Sequence, residues 1–207
     1  MAISTYTELQ DAVANWLNRR DLTDRIPEFI ELAESRMNRD SRLRVVGAIQ
    51  RDLLTVNSQF TTLPTDFARM VNCEVVAEPV VPMTYGTPQQ LDHLRRYCPT
   101  GVPSLYTIVG RELEVAPVPT ESTELAVIYY RRLTALSATN DTNWLLDESP
   151  DIYLYATLLQ AAPYLLHDER VAVWGGLYSQ LCDEYLQSSE ADQTAGSPLV
   201  MRGATLG

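Results

Sequence analysis

Apolar residues recur at helical intervals near the start of the chain and predict two helices. The first runs from Tyr6 to Leu17 and opens with Thr5 and Glu8 spaced as a capping box. The second runs from Pro27 to about Arg42, and a short polar connection from Asn18 to Ile26 makes the two antiparallel neighbours. Their apolar stripes are Leu9, Ala12, Val13, Trp16 and Leu17 in the first, and Phe29, Ile30, Ala33 and Met37 in the second.

Beyond Arg42 the pattern becomes extended, with turn residues between short apolar runs, and predicts strands. A short helix is expected from Thr87-Pro88 to Tyr97. Gly110-Arg111 is expected to be the turn of a hairpin. The predicted extended segments are Val45 to Val56, a return from Phe60 to Leu63 after a turn at Asn57-Ser58, Met70 to Val76, Leu105 to Val109, Leu113 to Val115, and Leu125 to Arg131.

The last third returns to helical spacing, from Pro150 to about Leu166 and from about Asp168 to Ala191. Ser149 suits the N-cap, Pro150 the first helical position, and Asp151 the positive end of the helix dipole. Pro163 should kink or shorten the first of these helices.

These elements predict an α+β fold, because neither terminal pair of helices can bury its apolar stripe alone. We expect a bundle of about four helices from the N- and C-terminal segments, a central β-rich insertion and an extended C-terminal tail. The predicted parts are residues 1–43 and 134–194 for the bundle, 44–133 for the insertion, and 195–207 for the tail. A chain of 207 residues with 45% hydrophobic content can bury such a core.

The charge pattern changes the functional picture more than the net charge of −11 does. All sixteen cationic residues are arginine, which excludes lysine chemistry. From Leu133 to Met201 there is one arginine against ten acids, so tight nonspecific DNA binding is not expected. No apolar run is long enough for a membrane span and no signal peptide is evident, so we expect a soluble protein made in a cytoplasm, without membrane partners.

Residues that could carry catalysis or bind metal are sparse. Neither His93 nor His167 has a second histidine at metal-ligand spacing, and His167-Asp168 is interpreted as a turn between helices. Glu112 and Glu114 would point to one side of a strand, which is interpreted as a solvated face. The three cysteines, Cys73, Cys98 and Cys182, show neither a disulfide framework nor a zinc pattern. We therefore predict no enzyme activity, no cofactor and no metal.

Aromatic residues are the better candidates for function, because tyrosine and tryptophan are favoured at contact hot spots. Ordinary core packing with exposed hydroxyl groups is the competing interpretation for each of them. The interface candidates are Tyr129, Tyr130, Trp144, Tyr153 and Tyr155.

Three tracts carry a resemblance to a known family: Glu31 to Asp40, Thr142 to Tyr155, and Ser197 to Arg202. Together they resemble the head-to-tail adaptor, or connector, proteins of tailed bacteriophages, and are similar to the short-tailed phage type. The resemblance implies a structural protein of the virion head–tail interface. Its partners would be the portal protein and a downstream tail or nozzle protein.

The resemblance further implies a ring of copies beneath the portal, which we expect to match the portal's twelvefold symmetry, with genome DNA passing through the channel without sequence-specific contacts. The portal-binding residues implied for this chain are Ser197, Pro198, Leu199, Val200, Met201 and Arg202. Two alternatives stay open. One is a carbohydrate-binding or carbohydrate-processing tail component that uses the β insertion, and the other is a neck or tail-completion protein that does not bind the portal directly.

Overall fold

A computed structural model describes residues 3–165 and 168–194 and divides the chain into two units. The helical unit consists of the described residues before Ala48 and after Arg132, and the β unit is Ala48–Arg132. The predicted α+β class is confirmed. The helices are α1 (Tyr6–Leu17), α2 (Ile26–Met37), α3 (Pro88–Tyr97), α4 (Trp144–Glu148), α5 (Pro150–Gln160) and α6 (Arg170–Thr194).

Helix α1 begins and ends where local chemistry requires. The Thr5 hydroxyl accepts the Glu8 N–H at 3.3 Å, and the Glu8 carboxylate accepts the Thr5 N–H at 3.1 Å, so the predicted capping box is confirmed. Asn18 ends the helix in the left-handed conformation. The connection that follows is not simply polar, because a 3₁₀ helix buries Leu22 in it.

Helix α2 ends at Met37, earlier than the predicted Arg42. The Asp40 carboxylate accepts the backbone N–H of Arg42 at 3.1 Å and stabilises a 3₁₀ turn over Ser41–Leu43 instead. An aspartate side chain that bonds the nearby backbone competes with helix continuation in this way.

The predicted helix after Ser149 is confirmed, and it begins at Pro150 as expected but ends at Gln160, before the predicted Leu166. Pro150 lies in its first turn, but Ser149 makes no side-chain capping hydrogen bond. Pro163 lies in a 3₁₀ turn that follows the end of α5 at Gln160, as expected from its missing N–H. Sequence reasoning missed α4, whose N-cap is Asn143, with Oδ1 accepting the Leu146 N–H at 3.1 Å.

The core of the helical unit is organised around α5, which contacts α1, α2 and α6. Trp174, Tyr178 and Cys182 bury one face of α6 in the same core. The bundle geometry stays a prediction. So does the tail, since residues 195–207 lie outside the described residues.

The β unit contains two four-stranded sheets that share one apolar core. One has the strand order β1-β8-β3-β4 and the other β2-β7-β6-β5. The strands are β1 (Ile49–Val56), β2 (Phe60–Thr62), β3 (Phe67–Val75), β4 (Val81–Pro82), β5 (Thr84–Tyr85), β6 (Leu105–Val109), β7 (Glu112–Ala116) and β8 (Thr123–Arg131).

The predicted hairpin is confirmed as β6 and β7, with Val109 opposite Glu112 and Gly110 at a φ of 65° that favours glycine. The predicted return of the chain after Asn57-Ser58 leads into the other sheet, because β1 pairs with β8 whereas β2 pairs with β7. The chain crosses between the sheets four times, from β1 to β2, from β2 to β3, from β4 to β5 and from β7 to β8. Helix α3 has a capping box between Thr87 and Gln90 and buries Leu91.

The two tryptophans of the helical stripes differ in burial, which predicts different costs of truncation. Trp174 is 3% exposed, so Trp174→Ala should lower the free energy of unfolding by about 3 to 5 kcal/mol. The same cost is expected from sequence for Trp16, but Trp16 is 45% exposed and packs edge-on against Tyr155, so Trp16→Ala should cost about 1 kcal/mol. Urea unfolding followed by far-UV circular dichroism measures the free energy of unfolding of both variants. Equal losses of stability would contradict the difference in burial between the two tryptophans.

Candidate functional site

The tracts Glu31 to Asp40 and Thr142 to Tyr155, which carry the family resemblance, meet at a buried polar network in the helical unit. Glu34 lies on the core side of α2 and is only 5% exposed. Its Oε1 accepts the Tyr153 hydroxyl at 3.0 Å and the Leu136 N–H at 2.8 Å. The Asn143 side chain donates to the Tyr153 hydroxyl at 2.7 Å and to the Thr134 carbonyl at 2.8 Å. These contacts fix the irregular segment 133–143 to α2 and α5.

Burial decides the protonation of this network. Burial raises the pKa of Glu34 above its ordinary value, while the hydrogen bonds from Leu136 and Tyr153 offset part of the rise. Burial beside the Glu34 carboxylate also raises the pKa of the Tyr153 hydroxyl, so Tyr153 stays a hydrogen-bond donor. The network is therefore a structural clamp with a carboxyl group that is costly to ionise.

A second clamp ties the turn after α2 to α6. Arg42 pairs with Asp40 at 2.7 Å and with Asp183 at 3.2 Å, and donates to the Ser179 carbonyl at 3.2 Å. Partial burial opposes ionisation of Asp40, but the Arg42 hydrogen bonds outweigh it and hold the pKa of Asp40 below its ordinary value. The Tyr178 hydroxyl donates to the same carboxylate at 3.2 Å.

The predicted interface aromatics separate into core and surface residues. Tyr129 and Tyr153 have 0% exposure, so a partner cannot contact them without opening the core, and as surface contacts both predictions are wrong. Their apolar neighbours come from distant segments, which the local pattern did not reveal. Tyr130, Trp144 and Tyr155 are half-buried, and their role at an interface stays a prediction.

The acid pair on β7 also needs correction. Glu112 is exposed as predicted, but Glu114 is buried under α3, where it forms an ion pair with Arg95 and accepts the Gln59 side-chain amide at 2.9 Å. A solvated strand face is therefore wrong for Glu114. Its partner Arg95 supplies the positive charge that a carboxylate needs when it is removed from water.

The remaining candidates add no reactive centre to the described part of the chain. His93 is exposed on α3, and His167 lies outside the described residues. Cys73 and Cys182 are buried, and burial raises the pKa of the Cys73 thiol to about 12 and that of Cys182 to about 11. Among residues 3–165 and 168–194, no three acidic, histidine or cysteine side chains converge as metal ligands. The same residues contain no helix with the length and apolar character to cross a bilayer. Ser197 to Arg202 fall outside them.

The Glu34 network predicts a specific pH dependence of stability. A raised pKa means that the folded protein holds the Glu34 proton more tightly than the unfolded chain does. The contribution of Glu34 is therefore fully present below its unfolded pKa of about 4.5 and is lost as pH rises through the folded value. Glu34→Gln keeps an oxygen acceptor without the charge, so its stability relative to wild type should increase between pH 4.5 and pH 8 in urea titrations.

Two variants control this experiment. Glu31→Gln makes the same change on the exposed side of α2 and should alter the pH dependence little. Glu34→Ala removes the acceptor of a buried N–H and should cost roughly 1 to 3 kcal/mol at pH 4.5, a cost that should fall with rising pH because this variant also lacks the carboxyl group. If Glu34→Gln instead lost stability relative to wild type as pH rises, the carboxylate would be favoured by its donors more than penalised by burial.

Comparison with known proteins places these features in a family. No curated protein matches this chain. Residues 4–202 match the family model of the SU10 adaptor protein, which covers both tracts of the Glu34 network and extends through Ser197 to Arg202. With a match over nearly its whole length, the chain belongs to the SU10 adaptor protein family.

Proposed function

We propose that the protein is a structural head-to-tail adaptor of a tailed bacteriophage, located in the virion at the head–tail interface. Copies form a ring beneath the portal, dock on it through Ser197 to Arg202, and offer a platform to a downstream tail or nozzle protein. The observation that carries this proposal is the family match, which continues beyond α6 and ends at Arg202. The two clamps of the helical unit support it, because the hydrogen bonds and ion pairs of both serve to hold segments of the fold together.

The energetics of the docking segment favour assembly on the portal over assembly in solution. Ordering six residues costs roughly 1 to 2 kcal/mol each. Burying Leu199, Val200 and Met201 returns roughly 1.5 to 3 kcal/mol each. A single segment therefore binds weakly. Repetition around a twelvefold ring that matches the portal strengthens the attachment, because each bound segment raises the effective concentration of its neighbours.

The charge of the C-terminal third supports a role along the DNA channel. Arg170 is the only cation from Leu133 to Met201 and pairs with Asp168 at 2.6 Å. Even with Asp183 paired to Arg42, this stretch keeps a large excess of acids. An acidic wall repels DNA and lets it pass without binding. In a cryo-electron microscopy map of the assembled ring, α6 should line the channel, and its location on the outer wall would remove this part of the proposal.

Truncation tests the docking segment. A chain that ends at Ala195 should keep the far-UV spectrum and the unfolding midpoint of the full chain and lose binding to purified portal in a pull-down. The reason is that the deleted residues follow the last described element, which ends at Thr194. Binding by the truncated chain would contradict the proposal and favour a neck protein that docks elsewhere, and a glycan-processing activity retained by it would favour the carbohydrate alternative.

A matched pair of point variants sharpens the result. Leu199→Asp places a charge in the docking segment and should weaken portal binding at least about tenfold. Leu206→Asp makes the same change beyond the family match and should leave binding near the wild-type level. Sedimentation of the free protein at low concentration should show little ring formation, and stable closed rings there would contradict assembly on the portal.

A further inference from the structure

The β unit has an apolar groove on the side where β4 and β5 end. The groove has a volume of about 410 Å³. Tyr85 is 59% exposed at its rim, and Arg69 is exposed beside it. Its lining includes Phe67, Arg69, Met70, Tyr85, Tyr106 and Ile108.

The groove lies along strands that lack a neighbour. Strand β4 pairs with β3 only at Glu74 and Val75. Strand β5 pairs with β6 only at Leu105 and Tyr106, after which the chain turns into α3. An apolar groove beside open strands has the features of a site for an added strand.

Ile108 supplies the free backbone groups of this site. The Tyr106 carbonyl accepts the Gly86 N–H at 2.8 Å, so the backbone of Tyr106 faces β5. Two residues further on, the N–H and carbonyl of Ile108 face the same side, where β5 has already ended. Within Ala48–Arg132 they have no hydrogen-bond partner.

The opposite side of the β unit presents an extended strand that complements the groove. Strand β1 is the other edge of its sheet, and its Leu53 is 57% exposed. The Asp52 carboxylate accepts the Leu53 N–H at 2.8 Å and so caps this edge in the single subunit. Among the residues that the structure describes, Arg69 forms no ion pair, so the negative charge of Asp52 complements it.

We propose that β1 of one copy docks in the groove of a second copy, with Leu53 pairing along Ile108 and Asp52 forming an ion pair with Arg69. The donor edge and the groove lie on different sides of one unit, so the contact is head-to-tail and can close into a ring. This inference rests on the proposed function and specifies the faces through which ring neighbours meet. The Leu53 N–H must leave the Asp52 carboxylate before it can pair with another strand. This hydrogen bond therefore disfavours nonspecific pairing of the β1 edge before the subunit docks.

Cysteine trapping tests the contact. In a Cys98→Ser background, which removes the exposed thiol, Asp52→Cys protein is mixed with Arg69→Cys protein and oxidised, both as concentrated free protein and on portal. Disulfide-linked dimers of one copy of each should exceed those from either variant alone by about tenfold. Glu78→Cys, which changes an exposed acid in the connection between β3 and β4, replaces Asp52→Cys in the control mixture and should give only background product.

Charge reversal provides the second measurement. Asp52→Arg alone and Arg69→Glu alone should each weaken subunit association about tenfold in sedimentation, and the chain that carries both changes should recover it, because the pair is restored with opposite polarity. Absence of preferential 52–69 cross-linking in both settings would overturn the inference. So would its suppression by a synthetic peptide of residues 195–207, which would assign the groove to the C-terminal segment.

The outcomes separate this inference from the proposed function. Variants that still bind portal but never cross-link remove the β1 contact and leave the adaptor role intact. Conversely, the chain that ends at Ala195 should lose portal binding and still cross-link between Asp52→Cys and Arg69→Cys as concentrated free protein.

Discussion

The buried carboxyl group of Glu34 is the constraint on which the helical unit depends. A buried charge or polar group is costly unless its hydrogen bonds are made, and Glu34 makes them with groups that also need partners. The segment 133–143 has almost no regular structure to satisfy its own backbone. Leu136 uses Glu34 as its acceptor, and the Leu133 N–H donates to the Asn38 side chain at 2.9 Å. Glu34 on α2 and Asn38 at its C-cap therefore hold an irregular segment in place, and their hydrogen bonds offset part of the entropy cost of ordering it.

The arginine clamp extends this arrangement just beyond the same C-terminal end of α2. Arg42 contacts Asp40, Ser179 and Asp183 with one planar group, a geometry that lysine could not reproduce. Its guanidinium also lies 5.8 Å from the centre of the Tyr178 ring. Helix α6 is thus fixed near its middle by polar contacts and by the apolar core on the same side. The acids on its other side are left facing solvent, which preserves the negative charge of this part of the chain.

The periodicity of apolar residues predicted the helices and strands well, but it predicted the burial and the contacts of individual side chains poorly. The capping box of α1, the short helix that begins after Thr87, the hairpin turn at Gly110 and the shortening at Pro163 all depend on residues close in sequence, and all are confirmed. The burial of Tyr129 and Tyr153, the ion pair of Glu114 with Arg95 and the exposure of Trp16 depend on which distant segment covers each side chain. Helical spacing placed Glu34 on the core face with Ile30 and Met37, so an acid among buried positions was the available signal for the clamp.

The exposed apolar side chains show which surfaces are left for assembly once the two cores are complete. Among the described residues, nine of the thirteen large hydrophobic side chains that remain exposed lie in Ala48–Arg132. That segment has seven arginines and nine acids, whereas the whole chain carries sixteen against twenty-seven. Apolar exposure with nearly balanced charge is typical of surfaces that meet another protein, because a strongly charged surface would repel an identical copy. The helical unit carries most of the excess negative charge, so its surface repels identical copies. Each unit folds around its own core, and the surface that attracts another protein therefore lies on a different unit from the surface that repels one.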